Sequence, residues 1–161
     1  MVYLCWLKQT TYLEVNMETK RIPSPKFRDH QVNIKVKLAA LWTSVTLCYL
    51  YGDYFELYVP QKTAGLLSGE NLLNSPAKLL LASILLAIPA IMVFLSVLLK
   101  PPVNRALNIG FGIFFTLVML LIASTSLTPW RSFYVFLALT ESMITVLIAG
   151  YAWKWERYPE D

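Results

Sequence analysis

Histidine is nearly absent from this 161-residue chain, where His30 stands alone. A haem held by two histidines is therefore excluded, and a metal site built on histidine is not expected. There are two cysteines, Cys5 and Cys48, far apart in sequence. No Cys-x-x-Cys pair exists, so thiol relay chemistry is out and both read as small apolar fillers. No serine sits in a nucleophile elbow with base and acid partners. The Gly-Phe-Gly at 110–112 follows no strand and lies in an apolar run, so it is not a phosphate loop. These absences argue against an enzyme and predict no metal and no cofactor. An acid-catalysed reaction at Glu141 is the one enzymatic route they leave open.

Charge is also scarce. Charged residues make up 15% of the chain and apolar residues 57%, against about 25% charged for an ordinary soluble domain. A soluble core of this size could not hide that much apolar surface, so the expected solvent is lipid. The formal charge of +4 could suggest nucleic acid, but the basic residues flank apolar runs. Orientation in a bilayer explains them more simply, and nucleic acid is not an expected partner.

What is present is a set of four apolar runs. Residues 79–99 and 106–130 carry no charge, and residues 132–153 are interrupted only by Glu141. The first run begins at residue 38, stays uncharged to Gly52, then meets Asp53 and Glu56 before ending near Val59. Each is close to the ~20 residues that span ~30 Å of hydrocarbon at 1.5 Å per residue. In lipid the backbone must satisfy itself, so the expected fold is all-α: a four-helix transmembrane bundle with helices near 36–58, 77–99, 103–126 and 130–154. "NSPAK" offers Asn74 or Ser75 as a cap with Pro76 in the first turn, and "LTPW" repeats the pattern with Thr128 and Pro129. "LKPPVNR" predicts an antiparallel hairpin of the second and third runs, and Pro89 predicts a kink where the bond to the Leu85 carbonyl is lost. Tyr54, Tyr58, Trp130, Tyr134, Tyr151, Trp153 and Trp155 gather near run ends as an interfacial belt.

Eleven basic residues lie on one side of the runs (Lys8, Lys20, Arg21, Lys26, Arg28, Lys35, Lys37, Lys100, Arg105, Lys154 and Arg157), and three on the other (Lys62, Lys78 and Arg131). That bias places both termini in the cytoplasm. Residues 1–34 then form a cytoplasmic extension, 35–155 the membrane domain and 156–161 a tail. "MVYLCWL" is too short to span and lacks the features of a signal peptide, and "RIPSPKFRDH" reads as an extended linker. Residues 1–16 are either a short interfacial strip or an upstream extension of a frame that starts at Met17. The connection at 60–76 has room for one surface turn of helix.

Glu141 is the residue that chemistry singles out. It lies about nine residues into its run, ~14 Å down and near the midplane. An acidic residue there costs about 2.5–3.5 kcal/mol on translocon scales. No Lys or Arg occupies any run to pair with it. The expected solution is a side chain turned into the bundle, neutral and hydrogen-bonded to Thr116, Ser83, Tyr49 or Thr46. On that basis Glu141→Gln should keep the fold and Glu141→Leu should leave partners unpaired. Trp42, Thr46, Tyr49, Asp53 and Glu56 fall on one helical stripe. Asp53 and Glu56 read either as binders of a cation or polar ligand, or as a helix end fraying into headgroups. The candidate site is thus Glu141, Asp53, Tyr49, Thr46, Thr116 and Glu56, a polar pocket opening outward. The competing reading makes Glu141 a packing device, an interhelical hydrogen bond of about 1 kcal/mol. Small residues recur at four-residue spacing, Asn108, Gly112 and Thr116 on one helix and Ala138, Ser142, Thr145 and Ala149 on another, where helix backbones can approach.

"YLYGDYFELYVP", "IPAIMVFLSVLL", "NRALNIGFGI", Glu141 and the closing "YAWKW" together resemble an uncharacterised family of small bacterial four-helix membrane proteins, a domain of unknown function. The likeness runs from about Lys35 to Trp155. It implies the architecture and a multi-pass location in the bacterial inner (cytoplasmic) membrane, and it implies no activity. More loosely, the layout resembles the DoxX-like membrane proteins, some of which are tied to quinone or sulfur redox complexes. Three functions follow as expectations: a non-enzymatic binding, carrier or accessory protein with a small-molecule or proton-linked pocket; a quinone-associated oxidoreductase subunit; and a structural subunit of a membrane complex. The expected partners are the lipid bilayer, an unknown small-molecule ligand and further copies of the chain.

Overall fold

The structure, a computed structural model, describes residues 31–156. The expectations for residues 1–30, including Cys5, the interfacial strip and the linker, lie outside the described residues, as does the tail beyond Glu156. Among the described residues there are five α-helices and no strand. They are α1 (Ile34–Glu56), α2 (Lys62–Ser68), α3 (Pro76–Leu98), α4 (Pro101–Thr125) and α5 (Ser132–Trp153), with a 3₁₀ turn, Pro129–Arg131, leading into α5.

Local chemistry explains where the helices begin. α1 starts ahead of the expected residue 36 because Asn33 caps it, its Oδ1 accepting from the Lys35 backbone N–H at 2.9 Å. Ser75 caps α3 by accepting from the Lys78 N–H. α4 starts at Pro101, two residues ahead of the expectation, because prolines sit without cost in a first turn whose N–H groups have no partner. The connection after α1 holds more helix than one turn. α2 is bounded by two left-handed residues, Gln61 at φ 65° and Gly69 at φ 79°.

Three stretches are long and apolar enough to cross a membrane: α3, α4 and Pro129–Trp153. α1 is as long as α3 but carries Lys35 and Lys37 near one end and Asp53 and Glu56 near the other. Composition therefore marks three spans and leaves the fourth to be argued from packing, where the sequence led us to expect four.

Side chains that reach from one helix to the end of the next set the directions. Lys35 Nζ donates to the carbonyls of Leu99 (2.7 Å) and Val97 (3.3 Å) at the end of α3. Arg105 donates to the carbonyls of Ala152 (3.1 Å) and Trp153 (2.9 Å) at the end of α5. A cation at a helix C-terminus meets both the orphan carbonyls and the negative end of the dipole. Glu56, at the end of α1, is bonded to Arg131 beside the start of α5. The four long helices thus run up and down in alternation, and both ends of the described chain lie at the Lys35 end of the bundle. The hairpin expected of α3 and α4 has the tight connection, Leu99 and Lys100. Its two arms nevertheless pack little against each other; α3 lies mainly on α1, and α4 mainly on α5.

Packing differs between the two ends. At the Lys35 end, Leu38, Trp42, Val45, Met92, Phe115 and Ile148 form a core drawn from all four long helices. Trp42 meets Phe115 edge to face at 6.0 Å. Around it lies a fully buried polar network. Asn108 Oδ1 accepts from Trp42 Nε1 (2.7 Å) and Ser96 Oγ (3.4 Å). Asn108 Nδ2 donates to Asn104 Oδ1 (2.6 Å), and Asn104 Nδ2 donates to the Ser96 carbonyl (2.6 Å). At the Glu56 end, the core is Met119, Ala123 and Ala138 with Tyr49, Val118, Ile122 and Val135, and no residue of α3 belongs to it. The buried residues of α3 are Pro89, Met92 and Ser96, all in its second half.

α4 and α5 approach most closely at Gly112. A Cβ there would lie 3.1 Å from the Thr145 carbonyl oxygen and 3.2 Å from the Ala149 nitrogen, whereas one at Gly110 would meet nothing. Thr116 and Thr145 bond across the same seam at 2.7 Å. The outer faces of α3, α4 and α5 present a continuous apolar surface, including Leu80, Leu81, Ile84, Phe94, Leu117, Leu121, Phe136, Met143 and Val146. Water-facing monomers rarely show a patch of that extent.

Two neighbouring glycines test the seam. Gly110→Ala should leave thermal stability in detergent unchanged or raise it by up to about 1 kcal/mol, the ordinary gain of alanine over glycine in a helix. Gly112→Ala should lower the melting temperature, because the new methyl meets backbone that cannot move aside.

Candidate functional site

In an apolar setting a serine or threonine hydroxyl on a helix satisfies itself on the carbonyl one turn back. Thr46 bonds the Trp42 carbonyl (2.9 Å), Ser83 bonds that of Leu79 (2.9 Å), and Thr116 bonds that of Gly112 (2.7 Å) besides Thr145. Three of the four hydroxyls expected to serve Glu141 are therefore already used, and the fourth, that of Tyr49, makes no hydrogen bond among the described residues. Glu141 itself is 3% exposed. Besides its helix bonds, its backbone carbonyl accepts from Thr145 Oγ1 at 2.9 Å, and among the described residues no side-chain hydrogen bond reaches its carboxyl.

That carboxyl lines a cavity of about 80 Å³ on the Glu56 side of the main core. α1 contributes Tyr49, Gly52 and Asp53; α5 contributes Tyr134, Leu137, Ala138 and Glu141; α4 contributes Phe115 and its neighbours one and two turns on; α3 contributes only Leu85 and Leu86. The cavity exists because the first half of α3 buries nothing fully and stands away from the second core. Pro89, the proline inside α3, marks the boundary; it has no N–H to bond back to the preceding turn.

Of the six candidates, the structure brings Glu141, Asp53 and Tyr49 to one cavity, the first from α5 and the other two from α1. Asp53 is exposed and opens the cavity to the surface; the Tyr49 hydroxyl is buried with no hydrogen-bond partner. Thr46, Thr116 and Glu56 do not line it. The two threonines are turned to their own helices, and Glu56 is held by two cations. Its Oε1 accepts from Lys62 Nζ and from Arg131 Nη2, each at 2.7 Å. Glu56 ties α2 and the start of α5 to the end of α1, which neither the ligand reading nor the frayed-end reading described.

A family model described as a family of unknown function (DUF6326) matches residues 26–159. The chain belongs to that family. The match begins earlier and ends later than the expected likeness over 35–155. Comparison with curated proteins and with solved structures gives no match.

Two parts of this DUF6326 chain escaped the sequence reading. Tyr134 was placed with the interfacial aromatics, but its ring turns inward, 3.5 Å from where a Cβ on Gly52 would sit. The signal was there: residues 134, 137, 138 and 141 share one face of a helix. The Trp42–Asn108–Asn104–Ser96 network was also missed. Two amides one turn apart in an apolar helix announce it, since neither can face lipid unpaired.

Removing the Glu56 anchor gives a local test. Glu56→Ala should speed amide hydrogen exchange across Lys62–Ser68 several-fold while leaving the α4–α5 amides unchanged.

Proposed function

We propose that this DUF6326 protein is a multi-pass membrane protein that holds a small polar or charged solute in the cavity beside Glu141. It acts as a binding, carrier or accessory protein rather than an enzyme. The observation that carries the proposal is Glu141, nearly buried and with no side-chain hydrogen bond among the described residues, lining a cavity together with Asp53. Intramembrane ionisable groups are conspicuous for serving function. Three apolar stretches and the apolar exterior support the membrane setting. α1 acts as a fourth span because Leu38, Trp42 and Val45 pack at its centre with no exposure and its charges fall near its ends. The basic residues favour a cytoplasmic Lys35 end, so the cavity lies toward the outer face. A bacterial inner membrane is supported by the resemblance alone.

The quinone-associated reading finds less support. A cavity of about 80 Å³ falls well below the ~300–1,000 Å³ typical of organic cofactor sites.

Glu141→Leu separates function from packing. If Glu141 were a packing device, its loss would destabilise the bundle. With no described partner to lose, the substitution instead replaces a nearly buried carboxyl with an apolar side chain, worth about 1–3 kcal/mol. Glu141→Leu should therefore raise the melting temperature of the detergent-solubilised protein by a few degrees, and Glu141→Gln should change it less. A fall in melting temperature for Glu141→Leu would overturn the proposal.

A further inference from the structure

The walls of the cavity narrow the class of solute, given the proposal that the cavity is a binding site. Among the described residues its ionisable acids are Asp53 and Glu141, and no Lys, Arg or His lines it. The two cations closest to its mouth in the chain, Lys62 and Arg131, are both engaged by Glu56. These walls disfavour an anion and suit a cation that can face the two acids.

The remaining walls say which kind. Tyr49, Phe115 and Tyr134 present aromatic rings, and most of the rest is aliphatic. A divalent metal ion asks for six or more oxygen ligands. Among the described residues no three of His, Cys, Asp and Glu come together to hold one. An alkylated ammonium ion has the opposite needs. Its carbons are content against leucine and methionine, its charge is attracted to aromatic rings and to carboxylates, and any N–H can donate to Glu141 or to the unpartnered Tyr49 hydroxyl. Volume sets the size. One water takes about 10–15 Å³ measured in the same way, so about 80 Å³ admits a molecule of a few heavy atoms and excludes a lipid headgroup with its glycerol.

We propose that the cavity between Asp53 and Glu141 is a site for a small organic ammonium ion, a nitrogen carrying one to three short alkyl groups, reached past Asp53. Such an ion supplies the two things the empty wall lacks, a donor for the Glu141 carboxyl and a charge to oppose it.

The experiment is calorimetric titration of the full chain in detergent with trimethylammonium chloride. Sodium chloride serves as the ionic control and tert-butanol as a neutral molecule of the same shape. Trimethylammonium should bind saturably, at least tenfold more tightly than either control. Glu141→Gln should abolish binding by removing the charge while keeping the shape, and Tyr134→Leu should weaken it several-fold by removing a ring. Equal binding of trimethylammonium and tert-butanol would show an apolar pocket indifferent to charge and overturn the proposal. So would saturable sodium binding with none of trimethylammonium, or no binding at all. In those cases the effect of Glu141→Leu on melting, which needs no ligand, still decides whether the cavity is a site.

Discussion

One amide organises the bundle. The side chain of Asn108 accepts from Trp42 on α1 and from Ser96 on α3, and donates to Asn104 one turn back on α4. Each of these four residues is fully buried. An amide in that position has no solvent to fall back on, so every bond it fails to make costs about the full desolvation of the group. Three helices are therefore held to one relative position at one level. Lys35 and Arg105 extend the same logic to the end of the bundle, where each closes the carbonyls of a neighbouring helix.

The opposite end has no equivalent tie on α3. Its first half bears Leu79, Leu80, Leu81, Ile84 and Leu86 outward and buries nothing fully. With a lipid-like surround, leucine gains little by turning inward, because acyl chains solvate it as well as other side chains do. Only polar groups and close small-residue contacts pull membrane helices together, and this half of α3 offers neither. The Ser83 hydroxyl is spent on the Leu79 carbonyl. The shallow burial of the first half of α3 and the cavity beside it are thus one consequence of where the polar residues fall.

Much of this was legible in advance, for identifiable reasons. The all-helical fold followed from uncharged runs of membrane length, since backbone pairing leaves lipid-facing segments no other choice. Glu141 stood out because an acid amid apolar residues must be either a functional group or an interhelical packing device. The Gly112 contact followed from four-residue spacing. What could not be read was how side chains share partners. Thr46 and Thr116 were expected at the site because they occupy matching depths, but depth does not reveal that a hydroxyl prefers its own helix. Glu56 resembled Asp53 in sequence. What separates them is the arrival of Lys62 and Arg131, the latter 75 positions away. The divergent arms of the "LKPPVNR" hairpin were hidden for the same reason: a short loop fixes adjacency at one end and says nothing about the other.

The two acids of the cavity also stand in unequal surroundings, and this bears on which of them sets its character. Asp53 is exposed, three positions before the end of α1. Its charge can be solvated whether or not anything is bound. Glu141 lies on the other wall, buried, with Tyr49 and Tyr134 nearby and no donor directed at it. A carboxyl in that position is costly until something enters to complete it, and an interaction made only on occupancy is the kind that confers selectivity rather than stability. On the proposed binding reading, Asp53 governs approach and Glu141 governs retention, a division argued from their burial.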